Sequence, residues 1–289
     1  MNPGRMSFKD LLLWLRVKFC LPLSLTYWIG PLVCGPGLGD WGGLLNYLCT
    51  PSLFIGWLAT FSIITVGSLL NDARDFHADN QNPKKQNKPL QRGLIFPSLN
   101  IKVAWWMWLT ALPIAIGLMI FNPIVIPVYL ISLGMPFLYY YGKDVPPCDL
   151  IVDSLLLPLP IAAGFNMCGL NPPSGLMVGA LGICFLAYLH DMIYDLAYDK
   201  KTTIKVLFGK GVMGSHLLLV GISLIFCIAE PSWAFLGMVL GYNAAFYHTL
   251  WSKNWPVYTY ATILFPGMYL IVKVLELLGI HVSFLVSFI

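Results

Sequence analysis

The amino-acid sequence predicts an all-α, polytopic membrane protein with about nine transmembrane helices. Hydrophobic residues make up 58% of the 289 residues and charged residues only 10%, and the mean hydropathy is +0.75. A soluble domain carries about 25% charged residues, so this composition excludes an ordinary soluble fold. The apolar residues are grouped into segments of about 20 residues, the length at which an α-helix spans a bilayer.

The first apolar segment extends from Leu11 to Cys34 and carries Arg16 and Lys18 near its start. We interpret it as a membrane helix, because the GPGLGD turn that follows lacks the small-residue cleavage site of a signal peptide. Long basic side chains near a helix end commonly reach the lipid headgroups, and we expect this of both residues, although contact with a central site is the alternative. Eight further segments complete the nine: 51–70, 102–121, 123–141, 150–170, 174–194, 212–229, 232–250 and 257–280.

The connections between these segments alternate in charge. Those after the first, third, fifth and seventh segments hold no Lys or Arg, and all of the 17 Lys and Arg residues except Lys273 lie on the other side. The positive-inside rule places that side in the cytoplasm or its organellar equivalent, with the active-site loops discussed below. The net charge of +4 therefore reflects topology and does not indicate a nucleic-acid partner.

The end of the second apolar segment runs directly into an acidic stretch, NDARDFHADNQNPKKQNKPLQRG, at residues 71–93. If the helix continues, Asp72, Asp75 and Asp79 fall on one face at positions i, i+3 and i+7, with Asn71 beside Asp75. Three acids this close repel one another, and at the end of a membrane helix they indicate a bound cation. Oxygen ligands favour Mg²⁺. The alternative is a solvated acidic loop.

A second acidic stretch, HDMIYDLAYDKKTTIKVLFG at residues 190–209, ends the sixth segment. Asp191, Asp195 and Asp199 recur there at a spacing of four, which puts one carboxylate on each turn of a single helix stripe. Both stretches are followed by basic residues, which are Lys84, Lys85, Lys88 and Arg92 after the first and Lys200, Lys201, Lys205 and Lys210 after the second. Two acidic helix ends with basic loops predict a site that holds Mg²⁺ ions and a diphosphate between them.

The first stretch matches the NDxxDxxxD motif of the UbiA superfamily of intramembrane prenyltransferases, and Asp195 with Asp199 resembles the DxxxD motif of that family. The resemblance extends over most of the chain. It implies a nine-helix bundle around a central cavity, formed as a single domain over residues 1–289 from two similar helix groups. It also implies Mg²⁺-dependent ionisation of a prenyl diphosphate and transfer of the prenyl group to an aromatic or lipid acceptor. Some members of the family instead cyclise the prenyl chain.

The resemblance implies roles for individual residues. The metal ligands would be Asn71, Asp72, Asp75, Asp79, Asp195 and Asp199. The diphosphate would be bound by Asn71, Lys84, Lys88, Arg92, Tyr140, Lys143 and Lys200. Tyr140 and Lys143 are included because the YYYGK sequence resembles a tyrosine-and-basic segment of the family. For the tyrosines, an interfacial belt is the alternative. Asp191 is a further ligand, a base, or an aspartate that pairs with a neighbouring helix.

Other features leave the activity open. The family's second motif commonly continues as DRxxGxxT, whereas this chain has Lys200, Thr203 and Val206 at the arginine, glycine and threonine positions. These differences leave the choice of subfamily open, so a prenyltransferase is the first hypothesis, a membrane terpene cyclase the second and a non-enzymatic transporter the third.

The WWxW cluster at 105–108 is expected to anchor the chain at the interface, with cation–π contact as the alternative. Lys273 and Glu276 are expected to pair at i and i+3.

Overall fold

The structure of the chain is a computed structural model that describes residues 6–37, 39–81, 85–143, 145, 147–195, 212–252 and 255–280. The described residues form helices and connecting turns, with no strand among them. The α-helices are α1 (Phe8–Trp14), α2 (Val17–Leu25), α3 (Ile29–Cys34), α4 (Trp41–Leu48), α5 (Pro51–Arg74), α6 (Phe76–Asp79), α7 (Pro97–Phe121), α8 (Ile126–Gly142), α9 (Cys148–Leu155), α10 (Pro158–Met167), α11 (Ser174–Asp195), α12 (Val212–Ala229), α13 (Trp233–Ser252) and α14 (Trp255–Leu277).

Proline residues mark the starts of the long helices. Pro51 and Pro97 occupy the first turns of α5 and α7, where a missing N–H costs nothing and the fixed φ angle suits the helix. These two helices contain 24 and 25 residues. At 1.5 Å per residue each is about 36 Å long, enough to cross a hydrocarbon core of about 30 Å.

The chain is an integral, multi-pass membrane protein. Six of its described helical segments are long and apolar enough to cross a membrane, and α9 with α10, which are bent by 46° relative to each other, make a seventh if they count as one span. The predicted count of nine is not confirmed. Helices α12 and α13 coincide with the two remaining predicted segments, but the described apolar part of α12 is short and α13 includes polar residues such as Asn243 and His248.

Two large apolar clusters form the core. In the first, Ile63 of α5 packs with Ala111 of α7 and Tyr129 of α8. In the second, Leu186 of α11 packs with residues of α12, α13 and α14. Helix α10 contributes to both, because Ala163 belongs to the first cluster and its neighbours Ile161 and Phe165 belong to the second. This helix therefore joins the two groups of helices.

Charged residues also connect α14 to the turn between α12 and α13. Lys273 on α14 pairs with Glu276 at 3.2 Å, as its spacing predicts, but its shorter contact is with Glu230, at 2.5 Å. Glu230 is buried and lies between α12 and α13. The ion pair therefore fixes α14 to the connection that precedes α13, a contact between distant residues that helical spacing does not reveal.

The WWxW cluster divides between two environments. Trp106 is 67% exposed, consistent with anchoring at a membrane interface. Trp108 points inwards, where its indole N–H donates to the Leu133 carbonyl oxygen at 3.0 Å and its ring meets Phe137 edge to face. The predicted interfacial role therefore suits Trp106, whereas Trp108 is part of the packing between α7 and α8.

Candidate active site

The first acidic motif lies where α5 ends. Asp72 belongs to the last turn of α5, Asp75 follows that helix, and Asp79 ends α6. Helical hydrogen bonding continues through the junction, because the Asp75 N–H donates to Asn71 and the Asp79 N–H donates to Asp75. Asp72 and Asp79 are only 7% and 3% exposed. Buried carboxylates need cationic partners, and the structure supplies them.

Asp72 is held by two cations from separate parts of the chain. The Arg16 guanidinium donates through Nε to Oδ2 at 2.9 Å and through Nη2 to Oδ1 at 2.5 Å, a bidentate geometry. The Lys88 ammonium donates to the same Oδ1 at 2.9 Å. Lys88 also donates to Asp79 at 2.7 Å, and Lys85 lies 3.0 Å from the other oxygen of Asp79. The basic loop therefore folds back onto the acidic helix end, and its predicted contact with a diphosphate stays a prediction.

Arg16 contradicts the expectation that it reaches the lipid headgroups. It lies at the turn between α1 and α2 with a left-handed backbone (φ 48°) and directs its side chain to Asp72. The sequence signal was an arginine at the start of an apolar segment, but such a signal does not reveal which way the side chain points. Lys18, two residues later, forms no ion pair with the described residues.

Lys143, from the connection after α8, completes the cationic side of this cluster. Its ammonium donates to Asp75 Oδ2 at 2.6 Å and to Asn71 Oδ1 at 3.3 Å. It also lies 5.3 Å from the centre of the Tyr139 ring. Tyr140 is the tyrosine predicted to bind the diphosphate, but its ring contacts Tyr141 and a small apolar cluster on α5 and α7. Tyr139 is therefore the tyrosine that the structure brings to the lysine.

Arg92 has a different partner from the one expected of a diphosphate ligand. It donates to Asp10 of α1 at 2.6 Å. The Ser7 hydroxyl and backbone N–H also donate to Asp10, and these hydrogen bonds together with Arg92 lower the pKa of the Asp10 carboxyl. Arg92 thus ties the basic loop to α1, and its predicted role at the diphosphate stays a prediction.

The second acidic motif lies at the end of α11. Asp191 is exposed there, and the preceding His190 is buried, with Nε2 at 2.9 Å from Asn243 and its ring stacked on Phe246 at 4.1 Å. This contact fixes the end of α11 against α13. The Asp195 side chain, Asp199, Lys200 and Lys84 lie outside the described residues, so their predicted roles stay predictions.

Two acidic residues that the sequence analysis did not select lie on α9. Asp149 accepts a hydrogen bond from Tyr188 of α11 at 2.5 Å. Asp153, one turn later, interacts electrostatically with Lys143 and with both Asp75 and Asp191. Helix α9 therefore places a carboxylate near both the first and the second motif. Their spacing of four was visible in the sequence, but no basic loop follows them.

The family model for the UbiA prenyltransferase family matches residues 23–275. The chain belongs to the UbiA prenyltransferase family. This match covers all the described acidic residues of both motifs. No curated protein is similar enough to the chain to count as a match.

Solved structures share the fold of this UbiA family member. A digeranylgeranylglyceryl phosphate synthase has a TM-score of 0.62 and 16% identity, over 96% of this chain and all of that one. A UbiA homologue from Archaeoglobus fulgidus has a TM-score of 0.60 and 16% identity, over 94% of this chain and all of that one. A homologue from Aeropyrum pernix K1 has a TM-score of 0.53 and 15% identity, over 95% and 99%. At such identities the likeness establishes the fold.

The donor set of this UbiA protein suits Mg²⁺ in its chemistry. Asn71, Asp72, Asp75 and Asp79 offer only oxygen atoms, which hard divalent cations prefer. Among the described residues no three acidic, histidine or cysteine side chains converge around one point. The carboxylate oxygens instead contact the cations of the chain itself. These residues therefore fit Mg²⁺ in two respects, because their ligand atoms are oxygens and their carboxylates bind positive charge.

Proposed function

We propose that this protein ionises an allylic prenyl diphosphate in a Mg²⁺-dependent reaction and transfers the prenyl group to an aromatic or lipophilic acceptor, releasing diphosphate. The charge arrangement at the end of α5 carries the proposal. Each of the three carboxylates there contacts at least one cationic side chain, and the four cations come from three separate segments of the chain: Arg16, Lys85, Lys88 and Lys143. A complex of magnesium and diphosphate complements this arrangement, because its metal ion binds carboxylates and its phosphate oxygens bind cationic side chains.

The structural neighbours support the same chemistry. The Archaeoglobus fulgidus homologue was solved bound to DMAPP and Mg²⁺, and in another structure to GPP and Mg²⁺. Both are allylic prenyl diphosphates. The family match over residues 23–275 and the shared fold bring this chemistry to the present chain as a proposal.

The proposed reaction begins with cleavage of the bond between C1 of the prenyl group and the diphosphate oxygen. The bonding electrons leave with the diphosphate, and an allylic cation remains. Negative charge grows on the leaving group, so preorganised positive charge nearby lowers the barrier. When bound by the motif carboxylates, Mg²⁺ supplies Lewis-acid neutralisation of this charge.

In this proposal, Lys88 and Lys143 stabilise the negative charge of the leaving diphosphate. Lys88 bridges Asp72 and Asp79, and Lys143 bridges Asn71 and Asp75. Each ammonium has three donors and a flexible stem, so it can exchange a carboxylate oxygen for a phosphate oxygen without moving the backbone of its loop. Both lysines are thus positioned to hold the diphosphate as it leaves.

Apolar residues beside the motif protect the cation from water. Val66, Leu69 and Leu70 of α5, which lie within the two turns that precede Asp72, are almost fully buried against Ala104 of α7. Trp108 and Phe137 adjoin this cluster and offer aromatic faces to a cation. The acceptor atom that bonds to C1 then loses a proton, and we assign Asp191, exposed at the end of α11, as the carboxylate that receives it.

The test uses the purified protein in nanodiscs with Mg²⁺ and prenyl diphosphates of increasing length, with and without a panel of aromatic and lipid acceptors. Mass spectrometry of organic extracts identifies the products. We expect a prenylated acceptor and no product without an acceptor. A cyclic terpene formed in the absence of any acceptor would replace this proposal with the cyclase hypothesis.

A further inference from the structure

Two cysteines that are far apart in the sequence lie next to each other in the structure. Cys34 is the last residue of α3, and Cys168 directly follows α10. The first membrane segment and the α9–α10 pair both begin beside the acidic motifs, so both cysteines lie at the opposite end of the bundle. Both are partly buried free thiols, and they are close enough to interact with each other.

The backbones of the two segments touch one turn before these cysteines. A Cβ atom added to Gly30 would overlap the backbone at Gly164 and Phe165. Cys34 and Cys168 each follow one of these glycines by four residues, so each thiol lies on the same helix face as its glycine. A disulfide needs Cα atoms within about 4.4–6.8 Å of each other. A crossing at which the backbones are in contact meets this requirement for side chains one turn away.

Tyr47 of α4 contacts both positions. Its hydroxyl donates to Cys168 Sγ at 3.1 Å. Its ring lies beside Gly35, the residue after Cys34, where an added Cβ atom would be 3.0 Å from Cδ1 of the ring. A single side chain thus spans the distance between the two cysteines, and α4 holds them together from the side of the connection that follows the first segment.

The cysteine pair lies on the side of the membrane opposite the basic loops. The positive-inside rule predicts that this side is not cytoplasmic. Disulfides form and persist in compartments such as the lumen of the endoplasmic reticulum and the bacterial periplasm, whereas cytosolic thiols stay reduced. The predicted environment of the pair therefore favours oxidation.

We propose that Cys34 and Cys168 form a disulfide that fastens the first membrane segment to α10 on the non-cytoplasmic side. The oxidant is a disulfide, either of a protein or of glutathione. One cysteine thiolate attacks a sulfur of the oxidant and displaces a thiol, and the second thiolate then attacks the mixed disulfide and displaces the other thiol. The two cysteines give up two electrons and two protons, which the oxidant receives as it becomes two thiols. This inference does not depend on the proposed function.

The disulfide would stabilise the fold by joining distant parts of the chain. Closing a long loop restricts the unfolded chain strongly. The bond would also act on α10, the helix that contributes to both apolar clusters. We therefore expect the oxidised protein to unfold at a midpoint at least about 5 °C above that of the reduced protein.

The first test counts free thiols in the full-length protein in nanodiscs, after equilibration in a glutathione buffer as oxidising as the lumen of the endoplasmic reticulum. The protein is quenched with acid, denatured in SDS and alkylated with a maleimide–polyethylene glycol, which retards it on a gel for each free thiol. The chain has seven cysteines, so we expect five adducts, and seven after reduction with dithiothreitol. Mass spectrometry of the peptides should find Cys34 linked to Cys168. Seven adducts before reduction, or a link from either cysteine to a different one, would overturn the proposal.

Serine variants test the effect on stability. Cys34→Ser and Cys168→Ser should each give six adducts with or without reductant, and reduction should not change their unfolding midpoints. The matched control is Cys49→Ser, because Cys49 is exposed and follows α4 at the same end of the bundle. It should keep the difference of two adducts and the higher midpoint of the oxidised form. If reduction leaves the wild-type midpoint unchanged, or lowers that of Cys34→Ser equally, the proposal fails.

The exposed thiol of Cys49 also reports which side of the membrane the pair faces. In sealed vesicles of known orientation, a membrane-impermeant maleimide should label it only from the non-cytoplasmic side, with Cys49→Ser as the background. Labelling from the cytoplasmic side would put the pair in a reducing compartment and would also refute the proposal. None of these measurements involves diphosphate release, so their failure and the failure of the proposed function are distinguishable.

Discussion

At the scale of single residues, Asp72 shows how the acidic motif exists inside a membrane protein. Its side chain is 10% exposed and contacts both Arg16 and Lys88. An unpaired carboxylate at this depth would be costly. The same pairing gives the carboxylate the positive charge that it needs and leaves it able to exchange these partners for other cations.

The Arg16–Asp72 pair gives a direct stability test. We expect Arg16→Gln to destabilise the protein, because Asp72 then keeps only Lys88 as a cationic partner. In a double-mutant cycle with Asp72→Asn, the two losses should not add, and the coupling should be about 1–3 kcal/mol. Equilibrium unfolding in mixed micelles with rising SDS measures each free energy. Lys102→Gln is the control, and strictly additive losses would show that the two side chains do not interact.

Residue types predicted the acidic site better than they predicted its partners. Asp72, Asp75 and Asp79 were identifiable because acids are rare at the end of an apolar helix. Arg16 was assigned to the headgroups, since no glycine or other turn residue in the sequence indicates the left-handed turn that directs its side chain to Asp72. Tyr139 was missed in favour of Tyr140, because adjacent residues in one helix point about 100° apart and the sequence alone does not fix the rotation.

At the scale of helices, a close crossing joins α10 to the first membrane segment. A Cβ atom added to Gly164 would overlap the Tyr27 carbonyl oxygen, and one added to Gly30 would overlap the backbone at Gly164. Small residues at such a crossing let the backbones approach, which is a common way of packing helices in membranes. The contact fixes α10, which contributes to both apolar clusters.

We expect Gly164→Ala to destabilise the protein by about 1–3 kcal/mol, because the added methyl group forces the two backbones apart. The matched control is Gly117→Ala in α7, where an added Cβ meets nothing within 4 Å. That change should be neutral or stabilise by up to about 1 kcal/mol, because alanine favours the helix. Thermal unfolding in detergent compares the two variants. Equal midpoints would contradict the close crossing.

The positions of the helices followed from hydropathy, whereas their interruptions did not. The predicted segment 150–170 is a bent pair, α9 and α10. The first segment is divided twice, by the turn at Arg16 and by a 3₁₀ turn at Thr26–Trp28. Mean hydropathy does not change at a bend, so the apolar pattern did not reveal this one, although Pro158 at the start of α10 is a local signal for it. Asp149 of α9 contacts Tyr188 of α11. Asp149 and Asp153 were not selected from the sequence because no basic loop follows them.

At the scale of the whole molecule, the two acidic motifs end different groups of helices. The first ends α5, in the cluster around Tyr129, and the second ends α11, in the cluster around Leu186. Asp153 of α9 is close enough to Asp75 of the first motif and to Asp191 of the second for its charge to interact with both. A substrate that needs two acidic faces is thus best bound where the two helix groups meet, and both faces belong to the side that the basic loops predict to be cytoplasmic.

The central claim is that the carboxylates at the end of α5 bind and ionise a prenyl diphosphate together with Mg²⁺. The most direct measurement is the rate of diphosphate release by the protein in nanodiscs, in the presence of an acceptor that it prenylates. The rate with Mg²⁺ is compared with the rate in excess EDTA. Asp75→Asn keeps a partner for Lys143 and removes one charge. Asp40→Asn is the matched control, because Asp40 is exposed, caps α4 through the Gly43 N–H, and asparagine caps a helix equally well. We expect Mg²⁺-dependent release that falls at least about a hundredfold in Asp75→Asn and is unchanged in Asp40→Asn. Release by Asp75→Asn at the wild-type rate, or release that persists in EDTA, would contradict the account.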